Sequence, residues 1–536
     1  MASRRTKNHY WRTPAMPRQQ LVLFSDSLDS RIPADHPVRL LDEILSSHDW
    51  APWEAEYHGG QGQPPLHPAV LCKVLLFATI RGIRSSRKIE YAVKHSIDFI
   101  WLASGETIDH TTLSIFRRKH EQPLKRLYRE LIGLAAQLGL AKLSELCIDA
   151  TRVLANAGPQ RWTQASLDRA IERASQLYDE ERAKAQAEDE LEDLFDDGQP
   201  SDKLPSKLAD LQARRQQLEL LKERLAAMDA ARRAKGQERS GKPAQLPRTD
   251  PDARIAPNKK GGYAPNYTPL AVCETTHGFI VAADVAPDGV EHTMMLPLMD
   301  EVAAAFEVTV TTALADGAYS TGENLRGCEA RGLELVSPLP TPDPAASPAQ
   351  RPDLTQPVEA ARLHELPIMP QTGCFDKSAF VYVEAEDSYY CPAGKRMPHD
   401  RWSNSKQANG TVIVKHHYAC AECGGCPLLS RCKVNPESTT GRTITHDEFE
   451  PERRRQHERM RAEQAKQHYR RRSHIAETPY AVFKTMMDLR RFLLRGLAGV
   501  RTEWLWACTA FNLKKLMNLL ARLRADSGTR AAIAAK

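Results

Sequence analysis

Two aspartates stand at the ends of apolar, β-prone runs that lie far apart in the chain. Leu146, Cys147 and Ile148 read as a buried strand ending on Asp149, and Val308, Val310, Ala313 and Leu314 lead in the same way to Asp316. A carboxylate leaving a core strand is costly to bury unless it is paired or binds a cation. One such aspartate alone reads as an Asx-turn or a helix cap. Two of them point to one cation site assembled from distant segments. A third carboxylate, Glu477, lies in a basic tract running from Pro451 to Leu497. Lys484 follows seven residues on, close to two helical turns, and shares its face if one helix runs through both. Pro479 leaves two readings: a kink just after Glu477, or a new helix capped by Thr478 with Pro479 in its first turn. Alone, Glu477 reads as a cap or a surface ion pair. The surrounding Arg470, Arg471, Arg472, Arg490, Arg491 and Arg495 turn it toward a polyanion.

A second constellation is made of cysteines. Cys391 is followed by Cys420, Cys423, Cys426 and Cys432, the last four within CAECGGCPLLSRC. Thiolates at this spacing converge on one tetrahedral ion across tight turns, which Gly424, Gly425 and Pro427 permit, so structural zinc is expected. An iron–sulfur cluster and unliganded thiols are the alternatives, and five candidates for four places leave the set open. Cys72, Cys147, Cys273, Cys328 and Cys508 sit among apolar residues and read as core.

The bulk numbers restrict the partner. The 536 residues are 41% hydrophobic and 26% charged, with a net charge of +6, an ordinary globular composition with length for two to four domains. The excess of positive charge is small, so its distribution decides whether a polyanion is bound. The N-terminal stretch lacks the apolar segment of a secretory signal, and no apolar run is long enough to span a bilayer. Eleven cysteines outside a small secreted frame fit a reducing compartment, and a cytoplasmic protein is expected.

The elements that must position these groups can be read in order. Pro68 opens a helix with Val70, Leu71, Val74, Leu75 and Ala78 on its apolar face. A second helix follows Ser85 or Ser86, and a third carries SIFRRKH. Arg81, Arg84, Arg87, Lys88, Arg117, Arg118 and Lys119 give this unit basic faces, read either as solvated surface or as contacts to DNA phosphates in helix-turn-helix style. An amphipathic helix from Pro123 to Leu140 delivers the chain to the Asp149 strand. The charged stretch from Trp162 to Lys242 reads as a helical hairpin around an acidic turn. Strands at Tyr267–Cys273 and Phe279–Val285 form a hairpin across His277–Gly278. A helix around Met294–Phe306 precedes the Asp316 strand, and Ser320-x-x-Glu323 reads as a capping box for the next one. Residues 337–370 are rich in Pro and small residues. The tail TEWLWACTAFNLKKLMNLLARL is an apolar-striped helix that covers the core.

Taken together, HPAVLCKVLLFATIRGIRSSRKIE, IDHTTLSIFRRKH, CIDATRVLANA, TDPDAR, LADGAYSTGENL, CPAGK with its later cysteines, and YRRRSHIAETPYAVFK leading to RRFLLRGL resemble the DDE transposases of bacterial insertion sequences. The branch resembled has an InsH-like N-terminal domain and a cysteine-rich DDE domain. The matching pieces run in family order over roughly residues 20 to 520. The resemblance implies an α/β fold: an RNase H-like catalytic core, a mixed five-stranded sheet with flanking helices, built from 141–160, 245–336 and 451–525. To it are added an all-helical DNA-binding domain (1–140), a helical insertion (161–244), a Pro-rich linker (337–375) and a cysteine-rich insertion (376–450).

It also implies a mechanism. Asp149, Asp316 and Glu477 hold two Mg²⁺ or Mn²⁺ ions, with Asp149 bridging, in order to hydrolyse a phosphodiester at an element end and join the freed 3′-OH to target DNA. Tyr469, Arg472, Glu477 and Lys484 resemble the Tyr, Arg, Glu, Lys signature of some relatives and would face DNA. Four residues separate Arg472 from Glu477 where the usual pattern has three, which on an ideal helix turns Arg472 off the Glu477 face, so Glu477 and Lys484 are the firmer pair. Double-stranded DNA and a homodimer or larger synaptic complex are the implied partners. The competing readings are a nuclease of the same fold without strand transfer and a non-catalytic, zinc-bearing DNA-binding regulator. A purely structural cysteine-rich scaffold is argued against by the two strand-end aspartates.

Overall fold

The strand Tyr263–Glu274 organises the main sheet. It is buried without interruption from Asn266 to Glu274, as expected of a strand covered on both faces. It runs antiparallel to Glu145–Ala150 on one side and to Ile280–Ala286 on the other. Glu145–Ala150 pairs parallel with Thr312–Leu314, which pairs parallel with Glu334–Val336. These five strands form the body of the sheet. Two short strands, Val153–Leu154 and Arg254–Pro257, also pair with the start of the central strand, so the sheet has seven strands and not five. The computed structural model describes residues 27–57, 64–192, 206–234, 243–257, 261–407, 411–435, 437 and 441–534.

Parallel neighbours need crossovers, and helices supply them. Met295–Phe306 leads from Ile280–Ala286 to Thr312–Leu314, and Gly322–Ala330 leads on to Glu334–Val336. The cap of the second helix is Thr321, whose hydroxyl accepts the Asn324 amide, and not the expected Ser320. Ser320 donates instead to Ser337, across the ends of the last two strands.

Seven helices precede the first core strand, from Pro37–Ser46 to Glu121–Gln137. The sequence reads as a separate unit here, but one continuous hydrophobic core runs from Leu28 to Met517. The reason is the final helix, Leu497–Ala534, which lies between the two parts. Its Trp506 indole donates to the Arg117 carbonyl at 3.1 Å, and its Asn512 amide exchanges hydrogen bonds with both backbone groups of Ile280 at 2.9 and 2.7 Å. The TDPDAR motif fastens the start of that helix. Asp250 accepts from Tyr267 and from the Gly496 amide, and Asp252 accepts from Arg224 and from the Leu497 amide.

The charged insertion is a pair of long helices, Gln164–Glu192 and Ser206–Ala234, with a small core of Trp162, Leu167, Leu218, Leu225 and Leu246. Most of the acidic turn expected between them lies outside the described residues. The cysteine-rich region carries a second sheet that the sequence pattern had not revealed. Its five antiparallel strands are Val381–Val383, Ser388–Tyr390, Arg396–Lys406, Val412–Ala419 and Thr443–Asp447, over a core that includes Phe375, Tyr389, Met397 and Tyr418. Among the described residues no helix is long and apolar enough to cross a membrane.

Candidate active site

The parallel pairing of Glu145–Ala150 with Thr312–Leu314 sets Cys147 beside Leu314. Carried two residues further, that register brings Asp149 opposite Asp316. Asp316 does two jobs. Its Oδ1 accepts the Ala318 amide at 2.8 Å, capping the turn Gly317–Tyr319, while its Oδ2 faces Arg472. The Arg472 guanidinium lies 3.1 Å from Asp149 and 3.8 Å from Asp316. One cationic side chain therefore joins the two aspartates that the sequence analysis paired.

Arg472 belongs to the helix Glu463–Thr485, which runs unbroken through Pro479. That settles the two readings of Pro479 in favour of a single helix and corrects the low weight given to Arg472. The helix buries Ala476, Pro479, Tyr480 and Phe483, and Arg472, one turn before Ala476, reaches along this face to the strand ends. Tyr480 donates to the Asp149 carbonyl at 2.5 Å, and Lys484 donates to the Thr151 hydroxyl at 2.5 Å. Glu477 is exposed on the neighbouring face and accepts from Ser473 at 3.2 Å. Tyr469 packs against the cluster of Cys147, Leu314, Val336 and Ala476, a packing role where DNA contact was expected.

The electrostatics follow from this crowding. Burial pushes the Asp149 carboxyl above its ordinary value, Arg472 pulls it back, and Asp316 and Glu477 push it up again. For Arg472, burial opposes the charge, but Asp149, Cys147 and Asp316 outweigh it and hold the guanidinium above its usual value. Two further groups stand here that the sequence did not single out. Glu291 is pushed up by burial and then by Asp316 and Asp149, and the fully buried Tyr319 is pushed up by burial and then by Glu291, Asp149 and Asp316. Nothing in the local sequence around GVEHT or DGAYS marks either as part of the site.

All five candidate cysteines line one small cavity with Phe380, Lys395 and Arg442. The Cys391 thiol is brought down to about 6 by its hydrogen bond from Cys420, helped by the Lys395 amide, which lies 3.3 Å from the sulfur. Cys423 accepts the Arg442 amide at 3.4 Å. Burial pushes Cys432 up to about 12. Among the described residues no group of three or more His, Cys, Asp or Glu side chains is arranged so that it could hold a metal ion. At the aspartates the physical reason is visible: a guanidinium already neutralises the pair.

The basic residues of the N-terminal helices divide. Arg87, Lys88 and Arg118 are exposed. Arg117, expected to face DNA, is buried, and its guanidinium donates to the Arg84 carbonyl at 2.9 Å. Arg84 is in turn held by Glu503 of the final helix at 2.5 Å. These two arginines join the helical unit to the core.

Three stretches match known families: residues 26–119 a transposase domain (DUF772), residues 234–367 a transposase DDE domain, and residues 390–517 a second transposase DDE domain. The chain belongs to the DDE transposases. Asp316 falls within one DDE match and Glu477 within the other. Asp149 lies between the first two matched stretches, and it joins this transposase's site through the strand register. No curated protein matches the chain.

Proposed function

We propose that this transposase cuts DNA at the ends of an insertion sequence, recognised as terminal inverted repeats, and joins the freed 3′-OH to target DNA on an RNase H-like core. The single observation that carries the reading is the parallel register that sets Asp149 beside Asp316. The strand order of the sheet body, with two antiparallel strands followed by two crossovers to parallel neighbours, supports the RNase H-like assignment.

Asp149, Asp316 and Glu477 would hold Mg²⁺ or Mn²⁺. Their hard oxygens suit these ions, and the two aspartates already share one cationic group, Arg472. When bound, such ions supply charge neutralisation at the phosphodiester and a water acidic enough to attack it at neutral pH. The side chains of the chain do the rest. Lys484, tied to Thr151, and Arg472 set positive charge beside the strand ends, where a phosphate must lie. Tyr480 fixes the helix that carries them to the backbone of Asp149. In cleavage, a water oxygen bonds to phosphorus and the P–O3′ bond breaks, leaving a 3′-OH. In joining, that hydroxyl oxygen bonds to a target phosphorus and a target P–O3′ bond breaks. Double-stranded DNA is the partner at both steps, and exposed Arg87, Lys88 and Arg118 add a basic face on the helical unit. Two element ends brought together call for a homodimer or larger assembly.

Four of Cys391, Cys420, Cys423, Cys426 and Cys432 would hold a structural Zn²⁺. This is supported by their shared cavity and by the thiolate character of Cys391. Elemental analysis should find about one zinc per chain, falling in Cys423→Ser; a metal-free native protein refutes this part.

The test of the main reading is Asp149→Asn on duplexes carrying the element's own ends. Cleavage should be abolished with DNA binding largely kept, and the native protein should join a pre-cleaved end with a free 3′-OH to a second duplex. Surviving cleavage, or binding lost together with cleavage, refutes the role of Asp149. Cleavage without joining favours a nuclease.

A further inference from the structure

We propose that Glu291 is a fourth acidic ligand for the divalent cations held by Asp149 and Asp316. This rests on the metal-dependent reading above and adds to it a residue that neither the strand pattern nor the family resemblance pointed to.

Its position is fixed by backbone and side-chain contacts. Glu291 precedes the turn His292–Met294 at the head of the helix Met295–Phe306. The Asn324 amide donates at 2.9 Å to the His292 carbonyl and at 2.9 Å to the Tyr319 carbonyl. One buried side chain thus ties the residue after Glu291 to the turn that follows Asp316. The loop bearing Glu291 is held against the loop bearing the second aspartate, although the two are far apart in sequence.

A second observation points to an occupant. The Tyr319 side chain is fully buried, and its hydroxyl has no hydrogen-bond partner among the described residues. The charges acting on it most strongly are those of Glu291, Asp149 and Asp316, in that order. An orphan hydroxyl inside a protein costs free energy unless water or a ligand completes it. Here it stands among carboxylates on a site read as taking hydrated cations.

The charge count leads to the same place. Glu291 feels the two aspartates more strongly than Arg152 and Arg472, the basic groups that offset them. Uncompensated negative charge in a half-buried site is unfavourable. Four carboxylates, from Asp149, Asp316, Glu477 and Glu291, balance two divalent cations, whereas the single guanidinium of Arg472 balances one.

The experiment is Mn²⁺ binding to the full-length protein, followed by the electron paramagnetic resonance signal of free Mn²⁺. Native protein, Glu291→Gln, Glu291→Asp and Asp149→Asn are compared, with thermal unfolding in EDTA as a check on folding. Glu291→Gln should weaken Mn²⁺ binding about 10-fold or more without lowering the unfolding temperature in EDTA. Glu291→Asp, which keeps the charge, should recover most of the affinity, and Asp149→Asn should lose it. If Glu291→Gln binds Mn²⁺ as the native protein does while Asp149→Asn does not, Glu291 is no ligand and the metal-dependent reading stands. If Asp149→Asn also binds as the native protein does, both fall.

Discussion

Arg472 offers the sharpest test of how the aspartate pair is kept in the protein without DNA. Its guanidinium stands 3.1 Å from Asp149 and 3.8 Å from Asp316, with only 13% of the side chain exposed. At an effective dielectric constant of about 20, charges at such separations attract by roughly 4 to 5 kcal/mol each before desolvation is subtracted. Net, a hydrogen-bonded contact to a charged group contributes about 1.5–3 kcal/mol. A divalent cation entering between the aspartates must displace this contact, so its apparent affinity is weakened by the same amount. Arg472→Gln should therefore bind Mn²⁺ about 10- to 100-fold more tightly than the native protein, since 1.4 kcal/mol is tenfold. It should also be less stable in EDTA, because removing one partner of a buried pair leaves like charges uncompensated, and Mn²⁺ should restore it. Arg472→Lys keeps the charge and should stay near native affinity. Titration of Mn²⁺ with and without EDTA-referenced melts reads both effects. Unchanged or weaker Mn²⁺ binding in Arg472→Gln would show that the guanidinium does not compete for the cation position, and the reasoning fails.

Two further outcomes follow from contacts outside the aspartate pair. Tyr480→Phe keeps the ring stacked on Trp504 at 6.4 Å but removes the bond to the Asp149 carbonyl. It should cost about 1 kcal/mol and lower amide-exchange protection in both Glu145–Ala150 and the helix Glu463–Thr485; unchanged protection in either element refutes the link. His120, fully buried and stacked on Phe116 and Tyr57, is brought down to about 4 by burial, with Lys119 adding to it, from an ordinary value of 6.5. The unfolded chain then binds more protons between these values, so this stability, up to about 3 kcal/mol, is complete above pH 6.5 and is lost as the pH falls toward 4. The urea midpoint should drop over that window less steeply in His120→Gln, and equal slopes would refute the assignment.

The aspartates were legible in the sequence because each ends an apolar run, and a strand end is where a parallel neighbour can bring a second chain segment alongside. What the sequence could not give is register. Only the pairing of Cys147 with Leu314 tells that Asp149 and Asp316 stand level. Arg472 was undervalued because its spacing from Glu477 was judged on helix angle alone. A long, flexible side chain on the buried face reaches a site that the neighbouring face does not. Glu291 and Tyr319 were invisible for a different reason: each enters the site through a loop pinned by Asn324, and such a contact leaves no periodic trace. The cysteine spacing announced a cluster, yet the five-stranded sheet around it was missed. Its strands include three of only three residues or so, and its longest, Arg396–Lys406, is largely exposed on both faces, so no apolar run marks it.

These contacts divide the site into a fixed part and an adjustable part. Asp149 and Asp316 are set by the sheet, and the turn after Asp316 is braced by Asn324. The helix Glu463–Thr485 is held to the strand ends at Tyr480 and Lys484, so its axis is also constrained. What is free to change is which of its side chains meets the aspartates. Arg472 does so now, and Glu477, held by one bond to Ser473, lies outside. The smallest rearrangement that gathers three carboxylates is therefore an exchange of two side chains on one helix, Arg472 leaving and Glu477 entering. An incoming DNA phosphate draws the guanidinium outward while divalent cations draw the carboxylate inward, so substrate and metal act in the same direction. That coupling makes DNA and Mn²⁺ each strengthen the binding of the other, and it predicts that this mutual gain is lost in Arg472→Gln, where there is no guanidinium left to move.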